Sequence, residues 1–185
     1  MVPVATLWAP ILLSAVLVFV LSSVIHMLLG YHHSDFGAVA RQNELLDALR
    51  GFNLPRGDYL LPRPGSSADA RSPEFAAVVA RGPVVMMTVL PAGGMSMGRN
   101  LVLWFVYSVI VGVFAAYVAG LTLGPGAEYR PVFRITSTVA FAGYVLALWQ
   151  DVIWYGHSGS TAGKSTFDGL VYALVTGGVF GWLWP

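Results

Sequence analysis

The sequence predicts an all-α membrane protein with four transmembrane helices and a small α/β extramembrane insert between the first two. Three observations predict it. Four long, nearly uncharged apolar runs, at 7–29, 101–123, 132–155 and 167–184, take up nearly half of the 185 residues. A helix rises about 1.5 Å per residue and the hydrocarbon layer is about 30 Å thick, so about 20 apolar residues cross it. Composition agrees: 10% of residues are charged and 56% apolar, with a mean hydropathy of +0.69, against about 25% charged in soluble domains. Aromatic residues also fall at the ends of the runs, with Trp8, Trp182 and Trp184 at one interface and Tyr31, Trp104, Trp154 and Tyr155 at the other.

The first run reads as a retained anchor. A cleaved secretory signal has a positive n-region and an apolar stretch of about 7–15 residues. Here no Lys or Arg precedes Leu7, and the apolar stretch is longer. The second run, 101–123, carries Gly112, Ala116 and Gly120, and the fourth, 167–184, carries Gly169, Ala173, Gly177 and Gly181. Small residues every four positions share one helical face and let backbones approach closely, which predicts tight packing within the chain or against another subunit. Arg134, early in the third run, has a stem long enough to carry its charge to the interface.

Four crossings place both termini on one side, and the 31–100 segment and the 156–166 loop on the other. Seven arginines from Arg41 to Arg99, together with Lys164, lie on the insert side, against Arg130 and Arg134 opposite. Positive charge near helix ends favours the cytoplasm, so the insert is expected inside and the termini outside.

Within the insert, 38–50 reads as an amphipathic helix with Leu45, Leu46, Leu49 and Phe52 on one face and Gly51 as its stop. A short strand is expected at 58–62, then a Pro-Gly-Ser loop. Ser72, Pro73 and Glu74 make a helix start and Gly82 its end. The β-branched stretch 84–90, bounded by Pro83 and Pro91, is the second strand. A module of about 60 residues is small for an independent core, so docking on the bundle or a partner is expected.

The net charge of +1 offers no basic field for nucleic acid. Without cysteine there is no disulfide, thiolate metal site or Cys nucleophile. Residues 159–166, Gly-Ser-Thr-Ala-Gly-Lys-Ser-Thr, fall one residue short of a phosphate-binding loop and follow no strand, so nucleotide binding is rejected. Lys164 reads instead as a topology marker, and Ser165 or Thr166 as a cap for the last helix. No G-x-S-x-G elbow, H-E-x-x-H helix or paired catalytic carboxylates are present, and no catalytic residue is assigned.

Polar residues gather on the insert side. Asp151 lies near the end of the third run and Asp168 at the start of the fourth. His26 ends the first run, His32, His33 and Asp35 follow it, and His157 sits in the short loop. Met95 and Met97 belong to the same side. Three readings are open. The groups anchor and cap helix ends, or His26, His32, His33 and Asp35 hold zinc or copper, or Asp151, Asp168 and His26 form an ion or proton path. No cofactor is otherwise expected, and haem lacks a second buried axial ligand.

Ser22-Ser-Val-Ile-His26-Met, Tyr31-His-His-Ser-Asp35-Phe, Gly57-Asp-Tyr-Leu-Leu-Pro62, Arg81-Gly-Pro83, Asp168-Gly-Leu-Val-Tyr-Ala and Phe180-Gly-Trp-Leu-Trp-Pro185 resemble an uncharacterised family of small bacterial multi-spanning membrane proteins. The resemblance covers nearly the whole chain and implies a bacterial inner-membrane placement. It brings no activity, ligand or functional residue. The leading expectation is a non-enzymatic accessory subunit or self-associating scaffold with the lipid bilayer, a membrane protein or a second copy as partner. The alternative is a metal-binding or ion-coupled protein using the His/Asp cluster.

Overall fold

The computed structural model describes all 185 residues, Met1–Pro185, and divides them into two compact units. One comprises Met1–Gly37 and Met97–Pro185, the other Ala38–Ser96. In chain order the elements are α1 (Trp8–Leu28), α2 (Gln42–Gly51), β1 (Gly57–Leu61), α3 (Pro73–Arg81), β2 (Val85–Val89), α4 (Met97–Thr122), α5 (Tyr129–Phe141), α6 (Leu148–Tyr155) and α7 (Gly159–Trp182).

The first unit is a bundle of four rods: α1, α4, the pair α5–α6, and α7. Three of them are long and apolar enough to cross a membrane, over Val4–Leu28, Met97–Thr122 and Tyr129–Tyr155. The expectation of four such helices is corrected to three. α7 has the length, 24 residues or about 36 Å, but not the composition. It begins at Gly159 rather than residue 167, and its first two turns are the polar run through Thr166. Ser158 is its cap, accepting from the Thr161 N–H, whereas Ser165 and Thr166 lie inside the helix. Beyond those turns the helix packs closely. α7 lies against both α5 and α1, and it meets them with Gly169, Ala173, Thr176 and Gly177, small groups that permit close approach.

The small-residue stripes find their partners inside the chain. A Cβ on Gly177 would stand 2.8 Å from Ser137 Cβ and 3.0 Å from the Phe133 carbonyl oxygen, so α7 and α5 touch backbone to backbone there. Gly112 faces Ile11, Gly169 faces Val145, and Gly181 faces the Tyr129 ring. Gly120 leaves room for the chain start, where the Val2 N–H donates to the Gly120 carbonyl at 2.9 Å. At the same end the Gly126 N–H donates to the Pro185 carbonyl at 2.6 Å, and Trp184 Nε1–H to that of Gly124 at 2.9 Å. Both chain termini therefore meet the α4–α5 turn at one end of the bundle.

The core forms two clusters. Leu7, Ile11, Ala115, Ala116, Val132 and Phe180 fill the terminal end. Val18, Ile25, Val111, Tyr144, Val145 and Tyr172 fill the other. Between α5 and α6 the helix widens into a π turn, Ala142–Leu146. Such turns release backbone acceptors from the α-helical ladder. The Tyr107 hydroxyl bonds the Gly143 carbonyl at 2.5 Å, and the turn carries Tyr144 and Val145 to the gap left by Gly169.

In the second unit, β1 and β2 pair antiparallel from Gly57↔Val89 to Leu61↔Val85. α3 starts as its sequence predicts, with Ser72 Oγ accepting from the Phe75 N–H at 3.0 Å and Pro73 in the first turn. α2 starts later than residue 38, because Arg41 adopts a left-handed conformation (φ 57°) that helical residues do not. No residue of Ala38–Ser96 is buried.

Candidate functional site

The site lies at the end of the bundle opposite the termini, where α1 stops. Gly30, at φ 65°, turns the chain in a conformation that a side chain would strain. A 3-10 turn, Tyr31–Ser34, follows and folds Tyr31 and His32 back towards α7. The His32 ring stacks on that of His26, 4.5 Å between centroids and 6° between planes.

His32 is bracketed by two carboxylates. Its Nδ1 lies 2.6 Å from Asp35 Oδ2 and its Nε2 2.8 Å from Asp168 Oδ2. Asp168 is 3% exposed, and its other oxygen accepts from the Tyr31 hydroxyl. Lys164, one turn before Asp168 on α7, completes the set. Its ammonium donates to Asp35 Oδ1 at 2.8 Å, to the Tyr31 carbonyl at 2.7 Å and to Ser34 Oγ at 2.8 Å. His26 Nδ1 lies 3.0 Å from the Ser22 carbonyl. A carbonyl only accepts, so Nδ1 carries a proton, and in the neutral ring the lone pair is on Nε2.

The electrostatics follow from these contacts. Burial disfavours the His32 cation, but hydrogen bonds and charge from Asp35 and Asp168 outweigh it and hold its pKa above the ordinary 6.5. The Lys164 ammonium, and then His32, hold the Asp35 carboxyl below its ordinary 3.8. Burial and the Asp168 carboxylate beside it push the Tyr31 phenol up. With His32 protonated, two carboxylates balance an imidazolium and an ammonium, which lets a charged cluster persist at low exposure.

Of the residues singled out from sequence, His26, His32, Asp35 and Asp168 come together. One ligand atom from each of His26, His32 and Asp168 lies within 4.8 Å of the others. His33 is exposed and covers Gly30. Asp151 is exposed on α6 and lines a separate cleft of about 350 Å³ with His157, Thr161 and one edge of Asp35. None of the network's hydrogen bonds reaches Asp151, and the cleft it lines borders the network at Asp35. Met97 opens α4 and is largely exposed.

Two members of the network were not singled out as site residues from sequence. Tyr31 reads as an interfacial aromatic and Lys164 as a topology marker. The i, i+4 spacing of Lys164 and Asp168 was the available signal, since it puts both on one face of a helix. Comparison of the chain with protein-family models, curated proteins and solved structures found no match.

Proposed function

We propose that the chain is a non-enzymatic accessory subunit of a bacterial inner-membrane assembly. Its bundle anchors the module Ala38–Ser96, and that module docks on a partner protein. The observation that carries this reading is the absence of a core in the module, where no residue is buried. The α2 residues Leu45, Leu46 and Phe52 are exposed, and a cleft of about 530 Å³ opens between α2 and β2 beside Leu49, Leu54 and Met87. Ordering a backbone costs about 1–2 kcal/mol per residue, and a two-stranded hairpin without cover is marginal. A partner surface on this face supplies the missing apolar burial.

The glycine stripes favour a hetero-partner over self-association. Their close contacts are satisfied within the chain, so those stripes are not open to a second copy. In this reading α7 makes the fourth crossing, shielded from lipid on its polar side by α1 and α5. The arginine-bearing module then faces the cytoplasm and both termini the periplasm.

Native mass spectrometry of the protein, extracted gently from its own membrane, tests the proposal. The expected result is a complex heavier than the chain, and Leu49→Glu releases the monomer while the melting temperature of the bundle stays unchanged. A bare monomer under gentle extraction, or a complex indifferent to Leu49→Glu, contradicts it.

A further inference from the structure

We propose that His26, His32 and Asp168 form a binding site for a zinc-class divalent cation, independently of whether the module docks on a partner. Three features distinguish the cluster from a structural ion pair. First, it holds more ligands than a salt bridge needs: two imidazoles and a carboxylate with ligand atoms within 4.8 Å.

Second, each imidazole is oriented from behind. His32 Nδ1 is held by Asp35, whose other oxygen is fixed by Lys164, and His26 Nδ1 by the Ser22 carbonyl. A carboxylate or carbonyl on the far ring nitrogen fixes the tautomer and raises the basicity of the near one, the arrangement found behind metal-bound histidines. Third, the Tyr172 hydroxyl, one turn beyond Asp168 on α7, is buried without a hydrogen-bond partner. Its ring packs on Trp104 and Tyr144, and buried polar groups without partners are uncommon.

The geometry requires two small movements. His32 Nε2 and Asp168 Oδ2, now 2.8 Å apart across a shared proton, separate to about 3.3 Å to become two corners of a tetrahedron with bonds of about 2.0 Å. The metal replaces that proton, which leaves to solvent. A cation in the plane of one stacked ring lies outside the plane of the other, so His26 tilts out of its stack with His32. His26 is exposed, so only its stack on His32 and its bond to the Ser22 carbonyl resist that tilt.

The donor set narrows the metal to the imidazole-binding divalent cations. Hard cations take six or more oxygen ligands, and the cluster offers one inner carboxylate. Copper(I) favours thiolates, and the chain has no cysteine. Two imidazoles and a carboxylate with an open fourth position suit zinc.

Calorimetric titration of zinc chloride into the chelator-treated, full-length protein in detergent tests the site. One zinc per chain is expected at micromolar affinity or tighter. Asp35→Asn should weaken it by about 10–100-fold through loss of His32 orientation, and His26→Ala and Asp168→Asn by more. His33→Ala and His157→Ala should leave it unchanged, and magnesium chloride should give no saturable heat. His26→Ala keeps the test decisive if Asp168→Asn fails to fold, because His26 is exposed. Absence of saturable zinc binding, affinity unchanged by His26→Ala, or loss on replacing His33 or His157 overturns the proposal.

Discussion

Asp168, 3% exposed, is held in a network in which four neighbours act on it or on its partner. Tyr31 and His32 bond it directly, while Asp35 and Lys164 fix His32 and supply the second pair of charges. The pKa directions give this network a pH signature. His32 has a raised folded pKa, so its contribution is full below its unfolded value near 6.5 and is lost as pH rises through the folded value. Asp35 has a lowered one, so its contribution is full above 3.8 and is lost as pH falls through the folded value. The network therefore stabilises most between 3.8 and 6.5. Thermal melts of the solubilised protein should show stability declining on the alkaline side of this window, and His32→Gln should flatten that limb. Identical alkaline profiles for both proteins would contradict the assignment. At this scale sequence reasoning reached halfway. Counting crossings put His26, His32, Asp35 and Asp168 at one end, but the bonds to α7 join residues 129 to 137 positions apart, and no local pattern encodes which of them meet.

Among the elements, α7 decides the architecture. Its first two turns are polar, and beyond them it uses glycines and a hydroxyl where it packs against neighbouring helices. Gly177→Leu should destabilise the solubilised bundle by about 1–3 kcal/mol through overpacking against Ser137 and Phe133. Gly163→Ala, on the same helix with open space around it, should stabilise by up to about 1 kcal/mol from helix propensity alone. Equal effects at the two positions would mean that α7 and α5 do not touch as described. The capped helix α3 and both strands were legible, because Ser-Pro-Glu starts and β-branched runs bounded by proline are local signals. The start of α7 and the π turn were not. Ser158 competes with Ser165 and Thr166 as a cap on equal chemical terms, and the π turn lies where Val145 meets Gly169 on another helix, a contact distant in sequence.

For the whole molecule, composition and run length were enough to identify a membrane bundle, since the bilayer imposes both directly. They could not separate a helix facing lipid from one shielded by its neighbours. The N-terminal segment contacts Gly120 and the C-terminal Pro185 contacts Gly126, so both termini share one end, and the polar network occupies the other. That arrangement requires α7 to run the full depth of the bundle.

The chain has no cysteine, which makes single-cysteine labelling in sealed, oriented vesicles the most direct test. A membrane-impermeant maleimide should reach Ser66→Cys from one side only and Pro185→Cys from the other only. Labelling of both from the same side would mean that α7 does not cross.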